Sequence, residues 1–227
     1  MEHGELQRRL SALNILGVYY SAPEATKQYG KQWYNIAYKT FDAIADKSGL
    51  NVERVIGAAS GLSPNNKWPK NVIDAEHMAQ GYSAGANLLD IKVSTYNNNK
   101  HKAVDILQLD CENLEQETEA TRTILNGLKT KAFYDCIRYA GQPEYLRGIN
   151  SVCVDGHAKN IYYGERHSLS STKSSITKKE YYKIADAYCC AAEVINEIEQ
   201  GPPSRAITGC QVQAVTWNHW RDMHNIK

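Results

Sequence analysis

A chain of 227 residues, 42% apolar and 22% charged, has the length for one large domain or two lobes sharing a cleft. Its net charge of +1 gives by itself no sign of a nucleic-acid binder. Six cysteines without a C-x-x-C pair, and no apolar run of membrane-spanning length, predict a reduced cytoplasmic protein with no structural zinc or iron–sulfur cluster and no membrane partner.

The opening "MEHGELQRRLSALNIL" lacks the unbroken apolar core of a signal peptide. Helical periodicity first becomes clear over residues 35–50, with Ile36, Ala37, Phe41, Ile44 and Ala45 on one face and Gly49 as the stop. Asn51 caps the next helix, which turns Val52, Val55, Ile56 and Ala59 inward and ends in "SGLSP". A third helix is expected from about Lys70 to Leu88, weakened by Gly81 and Gly85, and the polar "YNNNKHK" of 96–102 reads as a loop. "KAVDILQL" and "EATRTILNGL" are shorter helical pieces, whereas "SVCV" is too short and isolated to seed a sheet. "LSSTKSS" of 169–175 reads as a second polar loop. Thr177 and Glu180 then make a capping box for a long helix with Tyr181, Ile184, Ala185, Tyr188, Ala192, Ile195 and Ile198 inward, Cys189 and Cys190 in its packing, and Gly201-Pro202-Pro203 as its stop. A last helix, "QVQAVTWNHWRD", presents Val212, Val215 and Trp217 or Trp220. The pattern is all-α, arranged as two helical lobes within one domain of residues 1–227.

Charge and aromatic rings are unevenly spread. An acidic block (Asp110, Glu112, Glu115, Glu117, Glu119) precedes a basic half from Lys129 to Lys183, which suits phosphates as well as a solvated helix face. The 15 Tyr and 4 Trp against 2 Phe suit a wet groove or the edges of a core. His77, His101 and His167 have no partners at metal-ligand spacing.

Three stretches carry chemistry. In "ILNGLKTKAFYDCI" (124–137), a helix ends at Leu125, turns through Asn126-Gly127 and restarts at Lys129-Thr130-Lys131. The glycine permits a positive φ, and the new helix start offers N–H groups and a positive dipole end to a phosphate; an ordinary αα-hairpin with solvated lysines has the same pattern. In "SVCVDGHAKNI" (151–161), Asp155 stands at a helix start, where a carboxylate is stabilised as a cap with or without chemistry to perform. In "GLSPNNKWPKN" (61–71), Asn65 and Asn66 offer donors and acceptors for a base edge and Trp68 a stacking face; a capped interhelical loop with a half-buried Trp is the plain alternative. Gln213, Trp217 or His219 can add to the same cleft, although helix packing is the ordinary use of Trp217 and Trp220.

The order of the glycine-turn hairpin and, about two dozen residues on, "VCVDGHAKNI" resembles the helix–hairpin–helix–Gly/Pro–Asp superfamily of DNA glycosylases. That family's hairpin reads L-P-G-[VI]-G-x-K-T-A and its aspartate sits in a V-D-T-H-type segment. Val154, Asp155 and His157 match well, and "LNGLKTKA" matches loosely: the hairpin near 120–140 is one residue shorter and lacks the second glycine. Asn126 stands for proline, Gly156 for threonine, and the iron–sulfur cysteines of some members are missing. The resemblance covers residues 50–165 and implies two helical lobes with a DNA- and base-binding cleft between them.

By that resemblance Asp155 stabilises positive charge on the deoxyribose as the base leaves. Ser63, Asn65, Asn66, Trp68 and His157 line the pocket of a flipped base. Asn126, Gly127, Lys129, Thr130, Lys131 and Lys159 hold the DNA backbone. Lys129 or Lys131 is the candidate for a Schiff-base lysine, with water the expected nucleophile instead. The implied protein is a monomeric, cofactor-free glycosylase excising a modified pyrimidine, such as glucosylated hydroxymethylcytosine, from phage DNA in antiviral defence. Two alternatives stand beside it: a phage-type transferase that hypermodifies an activated hydroxymethyl pyrimidine, and a DNA-binding module in which Asp155 is only a cap.

Overall fold

The structure, a computed structural model, describes residues 3–141, 151–168, 171, 175–200 and 206–226. Every regular element among them is helical: α1 (His3–Ser11), α2 (Leu13–Ser21), α3 (Glu24–Ser48), α4 (Val52–Leu62), α5 (Trp68–Ser83), a 3-10 turn (Leu88–Asp90), α6 (Asn97–Leu107), α7 (Leu114–Leu125), α8 (Leu128–Ala140), α9 (Gly156–Tyr163), α10 (Lys178–Glu199) and α11 (Gly209–Met223). The all-α expectation therefore holds. The chain divides into two compact units, residues 1–34 with 142–227 and residues 35–141, and α3 runs through the boundary between Tyr34 and Asn35.

In the 35–141 unit α4 is the central helix, packed against α5, α6, α7 and α8. Such a helix must be apolar or small nearly all round, and Val55 to Leu62 of α4 are buried without exception. Gly57 is needed for that approach, because a Cβ there would lie 2.8 Å from Thr121 Cγ2 and 2.9 Å from Ile106 Cγ2. Ala58, Leu62, Met78, Leu88, Ala103, Val104 and Leu107 form the core between α4, α5 and α6. Glu53, only 5% exposed, is taken up at one end of α4 by Arg138, by the Tyr134 hydroxyl at 3.1 Å and by the Thr118 hydroxyl at 3.2 Å. Beside it Arg54 pairs with the buried Glu117 at 2.8 Å.

In the unit formed by the two chain ends, α11 packs on α2, α9 and α10. The N-terminal part of α3 meets α11 at Gly30, where a Cβ would come within 2.5 Å of Val215 Cα. The Tyr34 hydroxyl donates to Gln213 Oε1 at 3.0 Å, so Gln213 is spent inside this packing. Arg8 and Arg9 of α1 bridge to Asp186, Glu193 and Glu197 of α10. Those carboxylates are half exposed, so these bridges orient α1 more than they stabilise it.

The caps follow the expected chemistry. Asn51 accepts the Glu53 N–H, and Thr177 with Glu180 forms the capping box of α10. Several boundaries differ. The polar stretch 96–102 is not a loop: α6 begins at Asn97 without a side-chain cap, and burial of Ala103, Val104, Ile106 and Leu107 overrides the weak helix propensity of its asparagines. The third helix stops at Ser83, not Leu88, ahead of Gly85 at φ +68°. Ile36 and Ile198 lie outside the core, 43% and 61% exposed, and Cys189 is half-buried whereas Cys190 is buried. Most of the 169–175 stretch and Gly201-Pro202-Pro203 lie outside the described residues.

Candidate functional site

A tyrosine of α10 ties down the segment before α9. Tyr181 of α10 donates its hydroxyl to the Val152 carbonyl at 2.7 Å and accepts the Val154 N–H at 3.3 Å. Val152, Cys153 and Val154 are buried, so the strand-like "SVCV" serves as an anchored lead into Asp155. Asp155 takes extended backbone as the cap of α9, and its Oδ1 accepts the Ala158 N–H at 2.9 Å. Its second oxygen, Oδ2, accepts the Trp217 indole N–H from α11 at 2.9 Å. A cap needs only the first of these bonds.

Trp217 is itself fixed. The His157 ring meets it edge-on at 6.0 Å, and the Arg221 guanidinium lies over it at 4.3 Å. Tyr188 of α10 is wholly buried, and burial pushes its phenol well above the ordinary range, with the negative charge of Asp155 pushing the same way. The result is a half-buried carboxylate with both oxygens oriented, at the positive end of a helix. Such a group can stabilise a cation forming beside it or orient an attacking water.

Lys159 belongs to the same helix as His157, but its ammonium is bonded to Glu180 at 3.1 Å and to the Ser175 carbonyl at 2.6 Å. Burial alone would raise the Glu180 carboxyl, yet Lys159, the Tyr163 hydroxyl and the Thr177 N–H together hold it below its ordinary value. His219 is buried against the Ser21 hydroxyl at 3.2 Å. His167 lies 2.8 Å from Glu165.

The remaining sequence candidates belong to the 35–141 unit. The α7–α8 turn has its positive φ at Asn126 (+44°), not at Gly127, whose φ is −82°. Asparagine tolerates this conformation better than other side-chain-bearing residues, which explains a turn without the expected glycine geometry. Lys102 donates to Asn126 Oδ1 at 2.9 Å. Thr130 is buried, with its hydroxyl on the Gly127 and Leu125 carbonyls, so it ties the turn from within. Lys129 is exposed and Lys131 half-buried in the first turn of α8.

In the 63–68 loop the Asn66 amide donates to the buried Asp74 at 2.8 Å, and Ser63 to the Ser60 carbonyl at 3.0 Å. Asn65 is exposed at φ +56°. Trp68 stands edge-on to Phe41 at 5.6 Å. Of the loop's two asparagines, Asn66 is held inward and Asn65 points outward.

A family described as being of unknown function, DUF7178, matches residues 1–224. The chain belongs to DUF7178. No curated protein and no solved structure matches this DUF7178 chain. Among its described residues no group of three or more His, Cys, Asp or Glu could hold a metal ion, and no helix is long and apolar enough to cross a membrane. The contact that sequence reasoning assigned no role is Trp217 on Asp155. Its only local signature is the Trp217–Arg221 spacing of four residues, which places a cation one helical turn from the ring.

Proposed function

We propose that this protein is a DNA glycosylase that excises a modified base, with Asp155 as its catalytic carboxylate. The observation that carries the reading is the second bond of Asp155. A carboxylate fixed by Ala158 and again by Trp217, while still half-exposed, is organised beyond the needs of a helix cap. Cleavage of a glycosidic bond passes through a cationic sugar, and a pre-oriented anion stabilises it without reorganising as the charge forms. The resemblance in "LNGLKTKA" and "VCVDGHA" supplies DNA as the substrate, a flipped nucleotide as its bound form and water as the nucleophile, leaving an abasic site. Lys129 and Lys131, at the start of α8, are the proposed backbone contacts. A modified phage pyrimidine and a role in antiviral defence complete the proposal.

A non-catalytic reading, with Asp155 only capping α9 in a DNA-binding module, draws on the Ala158 bond, which is an ordinary cap. Mass spectrometry of nucleobases released from phage DNA carrying glucosylated hydroxymethylcytosine separates the two, with wild type compared against Asp155→Asn. Free modified base from wild type alone is the expected result. Equal release from unmodified DNA would remove the modified-base specificity. No release, with a mass gain on the DNA, would favour the transferase, and no change at all would favour the binding module.

A further inference from the structure

Resting on that reading of Asp155, we propose that Trp217 is a positioning residue that sets the rotation of the catalytic carboxylate. The terminal torsion of an aspartate is broad, so a carboxylate held by one oxygen sweeps the other through a wide arc. With Oδ1 on the Ala158 N–H, Oδ2 is fixed only by a second donor, and the Trp217 indole N–H stands 2.9 Å from it. An indole nitrogen only donates, so it takes the carboxylate as acceptor. The ring is in turn kept from swinging by Arg221 over it and His157 at its edge.

The choice of a neutral donor matters. The buried carboxylates Glu53, Glu117 and Asp135 each face an arginine, which fixes them and cancels their charge. Asp74 has no arginine partner among the described residues, but three bonds from Asn66 and Ser94 enclose it at 3% exposure. Asp155 has no cationic partner among the described residues and stays half-exposed, held by two neutral N–H groups. Both of its oxygens are oriented by neutral donors, so its negative charge is not cancelled by the groups that hold it.

The test is a mutant cycle of wild type, Asp155→Asn, Trp217→Phe and the double variant on phage DNA carrying glucosylated hydroxymethylcytosine. Phenylalanine keeps an aromatic ring at the position, though a smaller one, and removes the donor. Trp217→Phe is expected to lower kcat for base release ~10–100-fold with KM changed less than about 2-fold, as for other second-layer partners of reactive groups. In the Asp155→Asn background it should cost nothing further, because it acts through that carboxylate. Wild-type kcat in Trp217→Phe, or an equal loss in the Asp155→Asn background, overturns the positioning role and leaves the glycosylase reading intact. If wild type releases no base, that reading falls, and NMR of the Trp217 indole N–H decides the positioning separately. Slow solvent exchange that becomes fast in Asp155→Ala supports it, and an N–H indifferent to Asp155→Ala refutes it.

Discussion

Replacing Asp155 by alanine removes two hydrogen bonds at once, and their worth can be worked out from what each leaves behind. The Ala158 N–H loses its cap, at ~1 kcal/mol. The indole N–H of the half-buried Trp217 loses its acceptor, at ~1–2 kcal/mol for a donor with partial access to water. Asp155→Ala is therefore expected to lower the unfolding free energy by ~2–3 kcal/mol. Asp155→Asn keeps an oxygen for Ala158 but sets an amide N–H₂ against the indole N–H, two donors facing each other, and should cost ~1–2 kcal/mol. Urea unfolding followed by far-UV circular dichroism measures both, with the midpoints compared at a common slope. An alanine variant within ~0.5 kcal/mol of wild type would mean the two bonds are absent in solution. An asparagine variant as costly as alanine would mean that charge, not the retained oxygen, holds α9.

Arg138→Leu should be more damaging, by ~3–5 kcal/mol, because it removes the cationic partner of the buried Glu53 carboxylate and leaves it, among the described residues, the Tyr134 and Thr118 hydroxyls; adding Glu53→Gln to Arg138→Leu should recover more than half of that loss in the same urea assay. Burial lowers His219 from its ordinary 6.5, against the pull of Asp222 and with the push of Lys27. The folded state then binds fewer protons than the unfolded one just below 6.5, so stability is complete above that value and is lost as the pH falls toward the lowered one. Between ~pH 7 and ~pH 5 the thermal midpoint of wild type should drop further than that of His219→Gln, and parallel curves would refute the assignment.

Local chemistry was legible in the sequence wherever cause and effect lie within a turn or two of helix. Asn51 and the Thr177–Glu180 capping box could be read directly, because a cap is a bond between near neighbours. The faces of α3 and α10 were right at Phe41, Ile44, Tyr188 and Ile195, and failed at Ile36 and Ile198, where the apolar stripe is wider than the surface that covers it. The start of α6 reads as a loop because asparagines form helix poorly alone and are carried by the burial of Ala103 to Leu107. Asp155 was singled out by its place before Gly156-His157, as was Asn126-Gly127 as a turn. That Asn126, not Gly127, takes the positive φ depends on how α7 and α8 are joined. The Trp217 contact spans 62 positions, and the Trp217–Arg221 spacing beside it does not say that the ring meets Asp155.

The passage of α3 across the 34/35 boundary has a consequence for how the protein is made. Residues 35–141 are contiguous, so every partner α4 requires has been synthesised once Ala140 has emerged. The helices α1 and α2 precede them in the chain, yet they pack against α9, α10 and α11, which come last. During synthesis α1 and α2 are therefore separated from these partners by an intervening body of about a hundred residues, and their native contacts with α9, α10 and α11 must await it. Asp155 and Trp217 are brought together only in that late step. The second bond of Asp155 cannot form during synthesis until Trp217 has been made, 62 positions later, whereas the residues of the α7–α8 turn and the 63–68 loop precede both.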